Sequence, residues 1–83
     1  MSALIGSVDR LAHAVAEVLD VTPETLSDES SPETIPSWDS LSHLNLIIAL
    51  EQEFDVRLSA EDVLTMRSIG SIRRILHHAG VEI

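Results

Sequence analysis

The residue whose surroundings best suit chemistry is Ser40, one of eleven serines in the chain. It follows Asp39 and precedes a long apolar run that begins at Leu41. A serine hydroxyl is a weak nucleophile unless a base activates it, and no histidine or lysine stands beside Ser40 in the sequence. Ser40 is therefore predicted to be modified by another enzyme and not to catalyse a reaction itself.

Ser40 also lies where a helix is predicted to begin. Asp39 is of the residue type that caps helix N-termini, because its carboxylate accepts hydrogen bonds from first-turn N–H groups. The N–H groups and the positive end of the helix dipole stabilise a nearby anion, such as a phosphodiester. A phosphate-linked group would be well placed on Ser40, although most serines at helix starts act only as caps.

The four histidines do not indicate a catalytic or metal site. His43 lies in the first turn of the helix that starts near Ser40 and could line the mouth of a cleft. The simpler interpretation is a partly exposed polar residue. His13, His77 and His78 have no cysteine or acidic partners at the spacing of metal ligands. The sequence predicts no metal site, no catalytic residue and no enzymatic activity.

Length and composition restrict the class of protein. The 83 residues suit one domain, 1–83, with one small core. The absence of cysteine excludes a disulfide scaffold and a thiolate zinc site. No apolar run reaches the roughly 18 residues of a membrane span. The first residues lack the basic and apolar regions of a signal peptide. We expect a cytoplasmic, monomeric protein that does not bind membranes.

The net charge is −9, and the acids are concentrated in the middle of the chain. Between Asp20 and Asp62 there are eleven acidic residues and one basic residue, Arg57. Nucleic acids and anionic membranes require clustered lysine and arginine, so neither is expected as a partner. An acidic surface favours protein partners with basic patches, or it is simply a well-solvated surface.

Apolar residues recur at three- and four-residue spacing, which predicts helices. The predicted helices span about 7–20, 40–54, 60–66 and 69–79. Ser7, Ser59 and Ser68 are predicted as N-caps, and Gly80 ends the last helix. No useful strand-like alternation is present. The predicted fold is all-α: a small bundle of three main helices plus one short helix.

A long loop, residues 24–37, separates the first two main helices. It is rich in serine, proline and acids, which break helical periodicity. Its length is unusual in so small a domain, and long ordered loops are often functional. Leu26 and Ile35 are predicted to tie the loop to the core. Trp38 is predicted to pack just before the next helix and to fix its entry angle.

The helix predicted at 40–54 has two apolar stripes. The side predicted to face the core carries Leu46, Ile47, Leu50 and Phe54. The second stripe, nearly opposite, consists of Leu41, Leu44 and Ile48. It is bordered by Asn45, Glu51, Gln52 and Asp55. One apolar face is enough for a helix to pack in a small bundle, so the second stripe predicts a surface for a partner. The alternative is that the long loop covers it.

Asp39-Ser40-Leu41 at a helix start, followed by an amphipathic run that ends Leu50-Glu51-Gln52-Glu53-Phe54, resembles the acyl carrier protein family. The resemblance covers roughly residues 8–79 and implies the acyl-carrier-protein fold. It implies that phosphopantetheine, taken from coenzyme A by a phosphopantetheinyl transferase with Mg²⁺, is attached to Ser40. Asp39 and Leu41 complete the motif. The thiol of the arm would hold acyl groups as thioesters.

The resemblance also implies where partner enzymes dock. Acyl-loading and acyl-processing enzymes with basic docking patches would bind the second stripe and its border. The implied docking residues are Leu41, Leu44, Asn45, Ile48, Glu51 and Asp55. Carriers of this family do not make bonds themselves. They present the acyl group to enzymes that do.

Two positions depart from the pattern of many fatty-acid-synthesis carriers, because Asn45 and Gln52 stand where those proteins have acids. The segment Trp38-Asp39-Ser40-Leu41-Ser42-His43-Leu44 is more similar to discrete carriers of specialised pathways, such as polyketide or tetronate assembly. The resemblance therefore implies a discrete carrier of polyketide or related biosynthesis. Three alternatives stay open: a peptidyl or aminoacyl carrier, a fatty-acid-synthesis carrier, and a helical adaptor in which Ser40 is only a cap.

Overall fold

Four α-helices and one 3₁₀ turn form the regular structure of residues 9–82, the part of the chain that the computed structural model describes. The elements are α1 (Arg10–Leu19), a 3₁₀ turn (Pro23–Thr25), α2 (Ser40–Phe54), α3 (Ala60–Thr65) and α4 (Ile69–His78). No strand occurs in that range. The all-α prediction is confirmed. None of the described helices is both long and apolar enough to span a bilayer.

The first described helix begins at Arg10, whereas the sequence predicts a helix from about residue 7. Asp9, not Ser7, is the N-cap of α1, and its Oδ1 accepts the Ala12 N–H at 3.0 Å. Ser7 itself lies outside the described residues. The prediction that Ser7 is a cap therefore stays untested. The other carboxylate oxygen of Asp9 accepts a hydrogen bond from Arg73 of α4. A contact between the two ends of the chain leaves no sign in the local sequence.

The core lies between α1, α2 and α4. Its most deeply buried side chains are Leu11, Val15, Leu19, Leu46, Leu50, Ile69, Ile72 and Leu76. Ile35 and Trp38 are also buried, and Leu26 packs against the same cluster. The predictions that Leu26 and Ile35 anchor the loop and that Trp38 packs at the entry to α2 are confirmed. The loop is thereby held against the core, and α2 enters in a fixed position.

The loop is also bonded to the start of α4. The first N–H groups of a helix have no partner within the helix, so they need acceptors from elsewhere. The Ile69 N–H donates to the Ser30 carbonyl at 3.0 Å, and the Gly70 N–H donates to the Asp28 carbonyl at 2.9 Å. A Cβ at position 70 would lie 3.1 Å from that Asp28 oxygen, so glycine allows the close approach. The long loop is an ordered part of the fold.

Arg73 joins three parts of the chain. Its guanidinium pairs with Asp9 at the start of α1 and lies 3.2 Å from the Asp28 carboxylate in the loop. Burial alone would raise the pKa of Asp9. The Ala12 N–H and the Arg73 charge outweigh burial and hold that pKa below its ordinary value. The charged form of Asp9 therefore stabilises the fold.

We expect Asp9→Ala to lower the free energy of unfolding by about 1–2 kcal/mol, because it removes both the helix cap and the Arg73 partner. Asp9→Asn keeps a capping side chain and loses only the charge, so its loss should be smaller. Urea denaturation at neutral pH measures both differences.

The charge contribution has a defined pH dependence. The pKa of Asp9 is lower in the folded state than in the unfolded state. Its contribution is therefore complete above the unfolded value of about 3.9 and is lost as the pH falls through the folded-state pKa. The difference in stability between the wild type and Asp9→Asn should shrink on acidification through this range. A difference that stays constant or grows would contradict the role assigned to Arg73 and Asp9.

Candidate functional site

Ser40 is the first residue of α2, and its side chain is exposed. Asp39 caps the helix: its Oδ1 accepts the Ser42 N–H at 2.9 Å. That backbone bond, followed by a hydrogen bond from the Ser42 hydroxyl, holds the pKa of Asp39 below its ordinary value. The Asp39 carboxylate is therefore charged at neutral pH. The Ser40 hydroxyl lies at the positive end of a 15-residue helix, open to an incoming enzyme.

No base activates Ser40 within the described structure. His43, one turn further along α2, uses both ring nitrogens elsewhere. Its Nδ1 accepts the indole N–H of Trp38 at 3.1 Å, and its Nε2 lies 3.4 Å from the Val63 carbonyl oxygen. Among residues 9–82 there is also no group of three or more histidine or acidic side chains that could hold a metal ion. The geometry suits a serine that another enzyme modifies.

An open groove of about 700 Å³ borders Ser40. One wall is the start of α2 with the residues just before it, and the other is α3 with the segment that follows it. The lining residues are Pro32, Trp38, Asp39, Ser40, His43, Leu44, Val63, Leu64, Met66 and Arg67. The wall formed by residues 63–67 was not predicted from the sequence. The one available signal was Leu64, a large apolar residue on a short helix, and it is 75% exposed.

The second stripe of α2 is exposed to solvent. The exposed fractions of Leu41, Leu44 and Ile48 are 69%, 58% and 54%. The alternative that the long loop covers these residues is therefore wrong. Leu44 and Leu64 both line the groove, so Leu64 extends the apolar surface onto α3. We call Leu41, Leu44, Ile48 and Leu64 together the apolar patch.

The polar residues that border the patch differ in exposure, although the sequence predicts the same docking role for all of them. Asn45 and Asp55 are exposed, as a docking role requires. Asp55 also ends α2 in the left-handed region, with φ of 54°. Glu51 is only half-exposed, and its Oε2 accepts the Leu58 N–H at 2.9 Å. Glu51 therefore holds the connection between α2 and α3, a structural contact that the sequence did not reveal.

Phosphopantetheine would fit this site. Its phosphate would lie at the N-terminus of α2, where positive partial charge favours an anion. The rest of the arm would start beside a groove that offers both apolar side chains and the guanidinium of Arg67. When bound, the group supplies a thiol that holds acyl chains as thioesters.

Comparison with known proteins agrees with this geometry. A sequence model of the family described as "Phosphopantetheine attachment site" matches residues 9–76. The acyl carrier protein of Wolinella succinogenes is 29% identical over 68 residues, which cover 82% of this chain and 90% of that protein. The solution NMR structure of the holo acyl carrier protein from Geobacter metallireducens superposes with a TM-score of 0.78 at 27% identity. That match covers 88% of this chain and 84% of the other.

These matches agree with the all-α bundle and with a serine that is modified from outside. They make the helical-adaptor alternative wrong, because the family is defined by attachment of a prosthetic group. The protein is a non-catalytic acyl carrier, its prosthetic group is covalent phosphopantetheine, and a phosphopantetheinyl transferase is a partner. Since the family match spans most of the sequence, the chain belongs to the phosphopantetheine attachment site family.

Proposed function

We propose that Ser40 carries the phosphopantetheine arm and that the chain presents acyl thioesters on this arm to partner enzymes. The main support for the proposal is the position of Ser40. It is exposed, it is the first residue of a helix that Asp39 caps, and it borders an open groove. Asp39 and Leu41 flank Ser40 in the motif through which the transferase would recognise it.

The chain's own residues have three tasks in this function. The N-terminus of α2 stabilises the negative charge of the phosphodiester. The buried face of α2, with Leu46 and Leu50, fixes the helix to the core so that Ser40 is presented in one orientation. The apolar patch binds the enzymes that load or process the acyl group. Once an enzyme is docked, the tether raises the local concentration of the thioester at its active site.

The direct test is to incubate the folded chain with coenzyme A, Mg²⁺ and a broad-specificity phosphopantetheinyl transferase. We expect the intact mass to rise by one phosphopantetheine group. The new thiol should then react with a thiol-specific reagent, whereas the unmodified chain has no cysteine to react. A folded chain that gains no mass while a known carrier is converted in the same reaction would contradict the proposal.

Docking is proposed to occur on the apolar patch, with Asn45, Glu51 and Asp55 at its border. In protein interfaces a few buried apolar anchors carry most of the binding energy, whereas charges at the rim mainly affect association rate and salt dependence. The net charge of −9 favours partners whose docking surface is apolar at its centre and basic at its edge.

Leu44→Ala and Ile48→Ala should each lower kcat/KM for phosphopantetheinyl transfer by roughly 5- to 30-fold, which corresponds to about 1–2 kcal/mol. Both side chains are more than half exposed, so the fold should be retained. Asp55→Asn is the matched rim variant, because asparagine tolerates the left-handed conformation at this helix end and removes only the charge. Its effect should be smaller and should diminish further in high salt. A larger loss in Asp55→Asn than in the two apolar variants would contradict this arrangement.

For the pathway, we propose specialised biosynthesis of the polyketide type. Two observations support this. Asn45 and Gln52 on the exposed side of α2 are uncharged, and the segment from Trp38 to Leu44 resembles that of carriers from specialised pathways. A fatty-acid-synthesis carrier and a peptidyl or aminoacyl carrier are the competing proposals. The acid bound to the thiol separates them, so mass spectrometry of the protein purified from its own host is the deciding experiment. We also propose that the carrier acts as a monomer in the cytoplasm.

A further inference from the structure

We propose that His43 is a positioning residue for the prosthetic arm: it links Trp38 to the end of α3 and so fixes the groove in which the arm lies. The inference rests on the proposed attachment at Ser40. It assigns a role to a side chain that the sequence suggested was only a partly exposed polar residue.

The hydrogen bonds determine which ring nitrogen of His43 carries the proton. The indole nitrogen of Trp38 can only donate, and it lies 3.1 Å from His43 Nδ1. Nδ1 must therefore be the unprotonated nitrogen, and in the neutral ring the proton is on Nε2. That N–H faces the Val63 carbonyl oxygen at 3.4 Å, which is a long hydrogen bond. The planes of the Trp38 and His43 rings are nearly parallel, at 22°, with 6.3 Å between the ring centroids.

The Val63 carbonyl needs such a donor. It belongs to the last turn of α3, a helix of only six residues, and the last carbonyls of a helix have no full set of partners within it. Its other contact, from the Met66 N–H, is 3.4 Å long. His43 therefore holds the end of α3, while Glu51 holds the connection before α3 through the Leu58 N–H. Two side chains of α2 thus help to hold α3 in place, together with Met66, which is buried in the core just after α3.

The bridge runs along the groove that starts at the attachment site. Trp38, His43 and Val63 all line the groove together with Ser40. The groove volume of about 700 Å³ is within the range of roughly 300–1,000 Å³ that is typical of small-molecule sites. An arm attached to Ser40 therefore has a preformed surface beside it. Loss of the bridge would remove the His43 contact from the end of α3, which borders the groove, while the Glu51 contact with Leu58 would remain.

The first test needs no variant. Nitrogen NMR of the His43 ring in the unmodified wild type should show an unprotonated Nδ1 and a protonated Nε2. The opposite tautomer would overturn the inference, because Nδ1 could not then accept the Trp38 N–H.

The second test follows the arm. Trp38 is the only tryptophan, so its indole N–H gives a single assignable resonance. On attachment of phosphopantetheine to the wild type, this resonance and the backbone amides of Val63, Leu64 and Met66 should shift. His43→Phe keeps a ring of similar size but cannot bridge, so these shifts should be lost. His43→Asn offers an amide oxygen that can accept the Trp38 N–H, and it should restore the indole shift.

The outcomes separate this inference from the proposed function. If Ser40 is modified and the groove resonances do not move, the arm does not lie in the groove and the inference fails while the function stands. Equal modification-induced shifts in the wild type and a folded His43→Phe would also overturn the positioning role. A wild type that takes no group on Ser40 would contradict the function itself, and the tautomer measurement would still test the bridge.

Discussion

Ser40→Ala is expected to abolish attachment of phosphopantetheine completely and to leave the fold unchanged. The Ser40 hydroxyl makes no hydrogen bond within residues 9–82, and Asp39 supplies the helix cap, so the substitution removes no structural contact. Alanine is also the most favourable residue in a helix. Circular dichroism and the melting temperature should match the wild type, and the intact mass should stay unchanged after incubation with coenzyme A and transferase.

Ser42→Ala is the matched control for this variant. Ser42 lies in the same turn of α2. Alanine removes the Ser42 hydroxyl bond to Asp39 but retains the backbone N–H that forms the cap. The control should gain the full mass of one phosphopantetheine group. If Ser40→Ala is modified as readily as Ser42→Ala, the group is attached elsewhere and the assignment of the site is wrong.

The second large effect concerns stability. Leu46→Ala should lower the free energy of unfolding by about 3 kcal/mol, because Leu46 is completely buried and its loss leaves a cavity in the small core. Leu41→Ala is the matched control on the same helix. Leu41 is 69% exposed, so the change in stability should be only about 0.5 kcal/mol. Urea denaturation of both variants, with a common m-value, measures the difference.

The two leucine variants test whether one apolar face of α2 lies in the core and the other is exposed. A protein domain is stabilised by only about 5–15 kcal/mol in total, so a loss of 3 kcal/mol at one buried position is easily detected. If Leu41→Ala and Leu46→Ala destabilise the chain equally, the stripe that contains Leu41 is part of the core. The apolar patch would then not be free to dock a partner.

Features determined by neighbouring residues could be predicted from the sequence. The start of α2 follows from a capping aspartate just before a long apolar run, and the division of that helix into two stripes follows from helical periodicity. The exposed stripe of Leu41, Leu44 and Ile48 was therefore predictable. The three-residue motif around Ser40 is likewise local, which is why the candidate attachment residue could be named before its geometry was known.

Features determined by contacts distant in sequence could not be predicted. Asp9, the cap of α1, pairs with Arg73, which lies 64 residues further along the chain. The groove beside Ser40 depends on the position of α3, which His43 and Glu51 hold through backbone groups of Val63 and Leu58. A helical projection of α2 gives the direction of His43 but not its partners. Glu51 was expected to border the docking surface. Its carboxylate also accepts the Leu58 N–H in the α2–α3 connection, and this contact could not be predicted from the sequence.

Fragmentation mass spectrometry of the modified wild type identifies the serine to which the arm is attached. The chain is converted with coenzyme A and transferase, digested, and the peptide that contains Ser37, Ser40 and Ser42 is fragmented. We expect one phosphopantetheine group per chain, and every fragment that separates these serines should assign it to Ser40. Assignment of the group to Ser37, Ser42 or any other serine would contradict attachment at Ser40.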